Sequence, residues 1–192
     1  KSNIGFAVSA QDVRARLLHI WDAASRGHEI ANHTCGHFDG KNWSREQWAG
    51  EFRAFDNLMA NAFANINAGF EPSGWREFVR KGIRGFRAPY LSTSPALFKA
   101  MAGRGFAFDA SGIERETSGA HLSGGMARFS LPMINEGPSQ RRIVAMDYNL
   151  FVRHSGGFER ASESAAFEAR AYQAFRGAFD AQYEGKRRPL QI

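Results

Sequence analysis

The chain has 192 residues, 43% of them hydrophobic and 13% aromatic, with a formal charge of +6. Such a length and balance suit one globular domain, residues 1–192, with a sizeable core. A single cysteine, Cys35, excludes an intrachain disulfide framework, and no apolar run nears the roughly 20 residues that span a bilayer. The positive charge reads as solvated surface rather than a nucleic-acid interface. No basic run exceeds Lys186-Arg187-Arg188, and no RNA-binding motif is present.

In chain order, the apolar run "IGFAVSA" (4–10) predicts a buried strand. Val13, Leu17, Ile20 and Ala24 then recur at helical spacing, with Gly27 as a C-terminal stop. "HEIANH" (28–33) predicts the next strand, so the chain opens β-α-β, the unit of parallel sheets. Ser44 and Gln47 form a capping box ahead of a long helix whose apolar stripe is Trp48, Phe52, Phe55, Met59 and Phe63. That stripe predicts core packing. "GIRGFRAPY" (82–90) predicts a third strand ending at Pro89, followed by a helix with Ser94 as cap and Pro95 at its first position. "FAFDASG" (106–112) predicts a fourth strand, and the polar, Gly-rich stretch from Gly112 to Gly125 a surface loop. "MARFSLPMI" (126–134) and "RRIVAMDYNLF" (141–151) predict two more strands. A last helix is expected over 157–183, and "RPLQI" (188–192) begins a further strand. Alternation of β and α without repeat or linker predicts an α/β barrel or sheet.

Three of these strands end in residues able to do chemistry. His33 and His37 are four apart, so their rings can reach one divalent ion, although such a site needs a third ligand. Pro89 forces an extended or turning backbone, which sets Arg87 and Tyr90 at the end of the third strand. There an arginine can orient a carboxylate by a forked hydrogen bond, and a backbone N–H can stabilise an oxyanion. Asp109 is expected at the end of the fourth strand, on the same rim. In α/β folds that rim is where sites form.

In order and spacing, "NHTCGH", "FRAPY" and "FAFDAS" resemble the polysaccharide deacetylase family, the NodB-homology domain of carbohydrate esterase family 4. His33, Thr34 and His37 match its His-(Ser/Thr)-x-x-His motif, and Arg87, Pro89 and Tyr90 match its Arg-x-Pro-(Tyr/Phe) motif. The resemblance covers about residues 4 to 110. It implies a deformed or incomplete (β/α) barrel and a metal-dependent deacetylase acting on N-acetyl, less often O-acetyl, groups of a polysaccharide or oligosaccharide. His33 and His37 would bind the metal, most often zinc, while Thr34 braces their turn. Arg87 would orient the general base, the Tyr90 N–H would hold the oxyanion, and Pro89 would face the substrate. Asp109 would tune the catalytic histidine, although "DASGIERE" lacks the tryptophan of the family's acidic motif.

The family's Thr-Phe-Asp-Asp motif, which gives the general base and third ligand, is not in the sequence, and its Leu-x-His motif, expected on a late strand, is only approached by "RPLQI". The resemblance therefore implies further segments before Lys1 and after Ile192, and favours a periplasmic or secreted protein acting on an N-acetylated glycan. Other readings stay open: an amidohydrolase for a non-sugar amide, or a non-catalytic carbohydrate-binding module. An upstream Asp-Asp pair would favour catalysis. His28 reads as a packed strand residue and Cys35 as a variable position of the turn. His121 and His154 lack the context of a general acid. Asp147 either lines the cleft and contacts substrate or is a structural strand-end acid. Trp43 and Trp75 either stack on sugar rings or pack in the core.

Overall fold

The computed structural model describes residues 9–114 and 121–187. Nearly all of the expected first strand and the whole of "RPLQI" lie outside the described residues. The fold is α/β. Two compact units are distinguished: one runs to Ala110 and includes Gly124–Met126, and the other comprises Ser111–Ser123 and the chain from Ala127.

In the first unit, α1 (Ala10–Ser25) starts where the Ser9 hydroxyl accepts the Asp12 N–H, and Gly27, at φ +89°, follows its end. The strand β1 is only Ala31–Asn32. α2 (Arg45–Ala60) opens with the expected capping box: the Gln47 N–H donates to Ser44 Oγ at 3.2 Å and the Ser44 N–H to Gln47 Oε1 at 2.8 Å. The short helices α3 (Ala62–Asn65) and α4 (Trp75–Glu77) follow, the latter widening into a π turn over Phe78–Gly82. Next come β2 (Gly85–Phe86), a 3₁₀ turn at Pro89–Leu91, and α5 (Pro95–Arg104), which is capped by Ser94 and stopped by Gly105 at φ +82°. β3 (Phe108–Glu114) starts in this unit.

β1, β2 and β3 are parallel neighbours in that order, with rows Ala31–Gly85–Phe108 and Asn32–Phe86–Asp109. β1 and β2 are shorter at both ends than their sequence patterns predict: the His28 N–H still closes on the Ala23 carbonyl of α1 and Gly82 belongs to the π turn, while Thr34 turns left-handed just beyond β1 and Pro89 bends the chain beyond β2. Gly85 has no room for a side chain: a Cβ there would lie 2.0 Å from Phe108 Cζ.

The α2 stripe packs as expected. Trp48 and Phe52 join Phe86, Phe106, Leu97 and Met101 in one buried cluster. Phe63 joins Trp75, Val79, Ile83 and Leu17 in another, with Phe55 and Met59 half-buried against it. Each fully buried ring contributes about 2–3 kcal/mol of transfer free energy. Trp75 satisfies its indole by donating to the Met59 carbonyl at 2.8 Å.

The second unit holds the remainder of β3, β4 (His121–Ser123), most of β5 (Met126–Glu136) and β6 (Arg141–Val144). β6 runs antiparallel to β5, from Met133↔Val144 to Glu136↔Arg141. Strand thus occupies 112–114 and 121–123 of the stretch expected as a surface loop, with a turn at Gly124–Gly125. "RRIVAMDYNLF" also divides, because the strand stops at Val144 and α6 (Asp147–Ser155) begins. Leu150 is buried while Phe151 and Val152 are exposed, so its apolar letters do not alternate as in a strand. Gly156 and Gly157, both at positive φ, end α6 and delay α7 to Ser164–Glu184.

Ile134, Ala145 and Ala174 make a small core here. Beside it Glu136 is fully buried and accepts from Arg153 Nε at 3.1 Å, His154 Nε2 at 3.0 Å and Arg170 Nε at 3.0 Å. Burial pushes its carboxyl up, but hydrogen bonds and charge from Arg170 and His154 outweigh that and hold it below the usual carboxylate range.

Candidate metal centre

The backbone leaves β1 at Asn32 and forms a turn that carries both histidines. Thr34 (φ 68°) and His37 (φ 50°) are left-handed, an uncommon state for a β-branched residue, so the turn cannot continue a ladder. Side-chain oxygens take its backbone donors instead. The Thr34 N–H donates to Asn32 Oδ1 at 2.7 Å, and the His37 N–H to Thr34 Oγ1 at 3.0 Å. Between them the Cys35 and Gly36 N–H groups both donate to Glu51 Oε1, at 2.7 and 2.8 Å.

The turn sets the two imidazoles edge to face, ring centroids 4.9 Å apart and planes at 73°. His33 Nδ1 lies 2.7 Å from the Arg87 carbonyl oxygen, which only accepts, so Nδ1 carries the proton and Nε2 keeps its lone pair. Burial lowers the His33 pKa, opposed by its bond to the Arg87 carbonyl and reinforced by the charges of His37 and Arg87. The neutral ring that a metal requires is thereby favoured. Burial, and then the negative charge of Glu51, pushes the Cys35 thiol up, which disfavours a thiolate in the same turn.

Arg87 links this turn to the sheet. Its N–H donates to the Asn32 carbonyl at 3.0 Å, and its side-chain Nε to the Ala110 carbonyl at 3.1 Å. Pro89 is buried at the start of the 3₁₀ turn, where Tyr90 and Leu91 are left-handed at φ 56° and 55°. Tyr90 is exposed, and its ring centroid lies 5.3 Å from that of His37. Thus His33, His37, Arg87 and Tyr90, from motifs about fifty residues apart, come together.

Asp109 differs from its expected place. It is the second residue of β3, buried beside Phe86 in the register, and the strand runs on to Glu114. It precedes Ala110, whose carbonyl holds Arg87, instead of ending the strand on an open rim. Asp147 belongs to the second unit, exposed in the first turn of α6 and not at a strand end. Trp75 is fully buried and unavailable to a sugar, while Trp43 is half-buried against Trp48 with centroids 4.9 Å apart. His28 is exposed ahead of β1, His121 lies in β4, and His154 is engaged by Glu136.

Glu51 escaped the sequence reading. Its signal is a carboxylate three residues after Trp48, at the margin of the buried stripe. No basic residue lies at i±3 or i±4 to pair with it.

Two imidazoles, one held in its tautomer by a backbone carbonyl, fit a divalent metal. Among the described residues, no three His, Cys, Asp or Glu side chains gather into a metal-holding group, so these residues supply two donors of the set. Asn32 is buried beside the pair, and its Nδ2 has no partner among the described residues. Such a donor suits a carboxylate. No helix among the described residues is long and apolar enough to cross a membrane.

No family model and no curated protein matches the chain. Among solved structures, part of the chain is similar to a crystal structure of a Mycobacterium smegmatis protein assigned as a polysaccharide deacetylase. The two are 20% identical with a TM-score of 0.41, and the likeness covers 65% of this chain and 38% of that one. The chain therefore spans well under half the length of the protein it resembles.

Proposed function

We propose that the chain carries part of the active site of a metal-dependent polysaccharide deacetylase on a deformed (β/α) barrel of the NodB-homology type. The observation that supports this best is the His33–His37 pair, with the His33 tautomer fixed by the Arg87 carbonyl. It joins both motifs of the sequence resemblance at one place.

In this reading His33 and His37 hold a divalent ion, zinc by preference for imidazole donors. When bound, the ion supplies Lewis acidity toward an acetamide carbonyl and lowers the pKa of water. Arg87, whose Nε is anchored on the Ala110 carbonyl, would orient the carboxylate that acts as general base. The left-handed turn at Tyr90 presents its backbone N–H to the developing oxyanion. Asp109 supports the acid-base group from its buried place on β3, and Pro89 and Asp147 are assigned to substrate contact. The substrate is an N-acetylated glycan, with O-acetyl esters second, and the compartment is the periplasm or the exterior.

The test is acetate release by the complete protein from chitooligosaccharides and from peptidoglycan, with and without a chelator. Release that stops with chelator and returns with zinc supports the reading. No release from either substrate, with no metal bound, overturns it.

A further inference from the structure

We propose that Glu51 is a positioning residue, a support on α2 that sets the histidine turn in its ligating shape before metal binds; this rests on reading His33 and His37 as metal ligands. Four successive backbone donors, Thr34 through His37, are all taken by side-chain oxygens, and Glu51 takes two of them. The other two acceptors, Asn32 and Thr34, belong to the same short segment as the histidines. Glu51 alone reaches in from another element.

That element is well fixed. Its first turn is closed by the Ser44–Gln47 capping box, and Trp48 and Phe52, on either side of Glu51, are fully buried. The carboxylate oxygen is thus an acceptor on a rigid mount, held where both amides meet it. Each histidine has a different anchor. His33 is tied to the Arg87 carbonyl and stays with the sheet when Glu51 is lost. His37 directly follows the two amides that Glu51 holds, and its own N–H donates to Thr34 inside the turn, so the loss of Glu51 loosens the segment that carries its ring.

Both N–H groups use a single oxygen, Oε1, so a neutral amide oxygen in the same place does the same work. Glu51→Gln therefore retains the turn. Glu51→Ala removes the acceptor, and Glu51→Asp keeps the charge but withdraws the oxygen by one methylene.

The experiment measures cobalt(II) affinity by ligand-field absorption, using the complete protein and the three variants. Amide exchange at Cys35 and Gly36 is measured on the same proteins without metal. Ala and Asp are expected to bind cobalt about 10–100-fold more weakly and to exchange faster at both amides, whereas Gln stays within about threefold of wild type. Equal affinity and equal exchange in Ala and wild type overturn the proposal. So does a Gln variant as weak as Ala, since charge and not placement would then be what matters. Should Ala fail to fold, the Asp–Gln contrast decides alone. A wild-type protein that binds no cobalt overturns the metal reading itself, an outcome distinct from metal binding that ignores Glu51.

Discussion

The Arg87 carbonyl oxygen and His33 Nδ1 are 2.7 Å apart, across a sequence separation of 54 residues. The contact depends on the Arg87 backbone, not its side chain, so the two halves of this residue serve different ends.

That division gives the first prediction. On the proposed reading, Arg87→Ala keeps the carbonyl and so keeps metal affinity within about threefold of wild type, while turnover falls about 10²-fold or more. Titration with zinc beside steady-state acetate release separates the two effects. A loss of metal binding equal to the loss of turnover would contradict it.

His33→Ala removes the imidazole tied to the Arg87 carbonyl, one of the two proposed ligands. Metal content measured by atomic absorption is expected to fall below about one tenth of an equivalent, and deacetylation to vanish with it. Treating wild type with a chelator should reproduce both losses, and zinc should reverse them only in wild type. Unchanged metal content in the variant would sink the assignment.

Phe52→Ala tests the support beneath the turn. The ring is fully buried, with centroids 5.1 Å from both Phe86 and Phe106. Its truncation should cost about 3–5 kcal/mol in urea denaturation. A loss under about 1 kcal/mol would mean that this cluster is not packed as described.

Glu136 gives the pH dependence. Its carboxyl titrates below the ordinary range in the folded chain, so the folded state binds its proton less readily than the unfolded one. The resulting stabilisation is complete above the unfolded carboxyl pKa of about 4.3, and it is lost as pH falls through the lower folded value. Glu136→Gln should remove this part of the acid sensitivity and cost about 3 kcal/mol at pH 7. Melting curves of both proteins from pH 7 to pH 3 check the sign. A variant whose stability falls with acid as steeply as wild type would refute it.

Helices were the readiest elements to find in the sequence. The caps at Ser44 and Ser94 and the spacing of Trp48 and Phe52 are local signals, and each stands as expected. Strand lengths were less legible, because β1 and β2 end where Thr34 and Pro89 redirect the backbone, and run length carries no sign of that. The rim residues were visible by type, but Asp109 was misplaced because nothing in "FAFDASG" says how far the strand continues. Asp147 was read as part of a strand because "RRIVAMDYNLF" is apolar enough to hide a change of element at Ala145. Glu51 and Glu136 were missed for one reason. Their partners are backbone amides in one case and arginines from α6 and α7 in the other, and sequence proximity shows neither.

The capping box at Ser44 does more than begin a helix. Glu51 lies seven residues on, about two full turns, so it points nearly the same way as the cap itself. One residue inserted early in the helix would swing the carboxylate by about 100° and bring Gly50, which has no side chain, opposite the Cys35 and Gly36 amides. An insertion in the chain from Asp39 to Trp43, ahead of the cap, would leave that phase untouched. Tolerance to length changes should therefore switch abruptly at Ser44, with the helix acting as an angular gauge for the turn it faces.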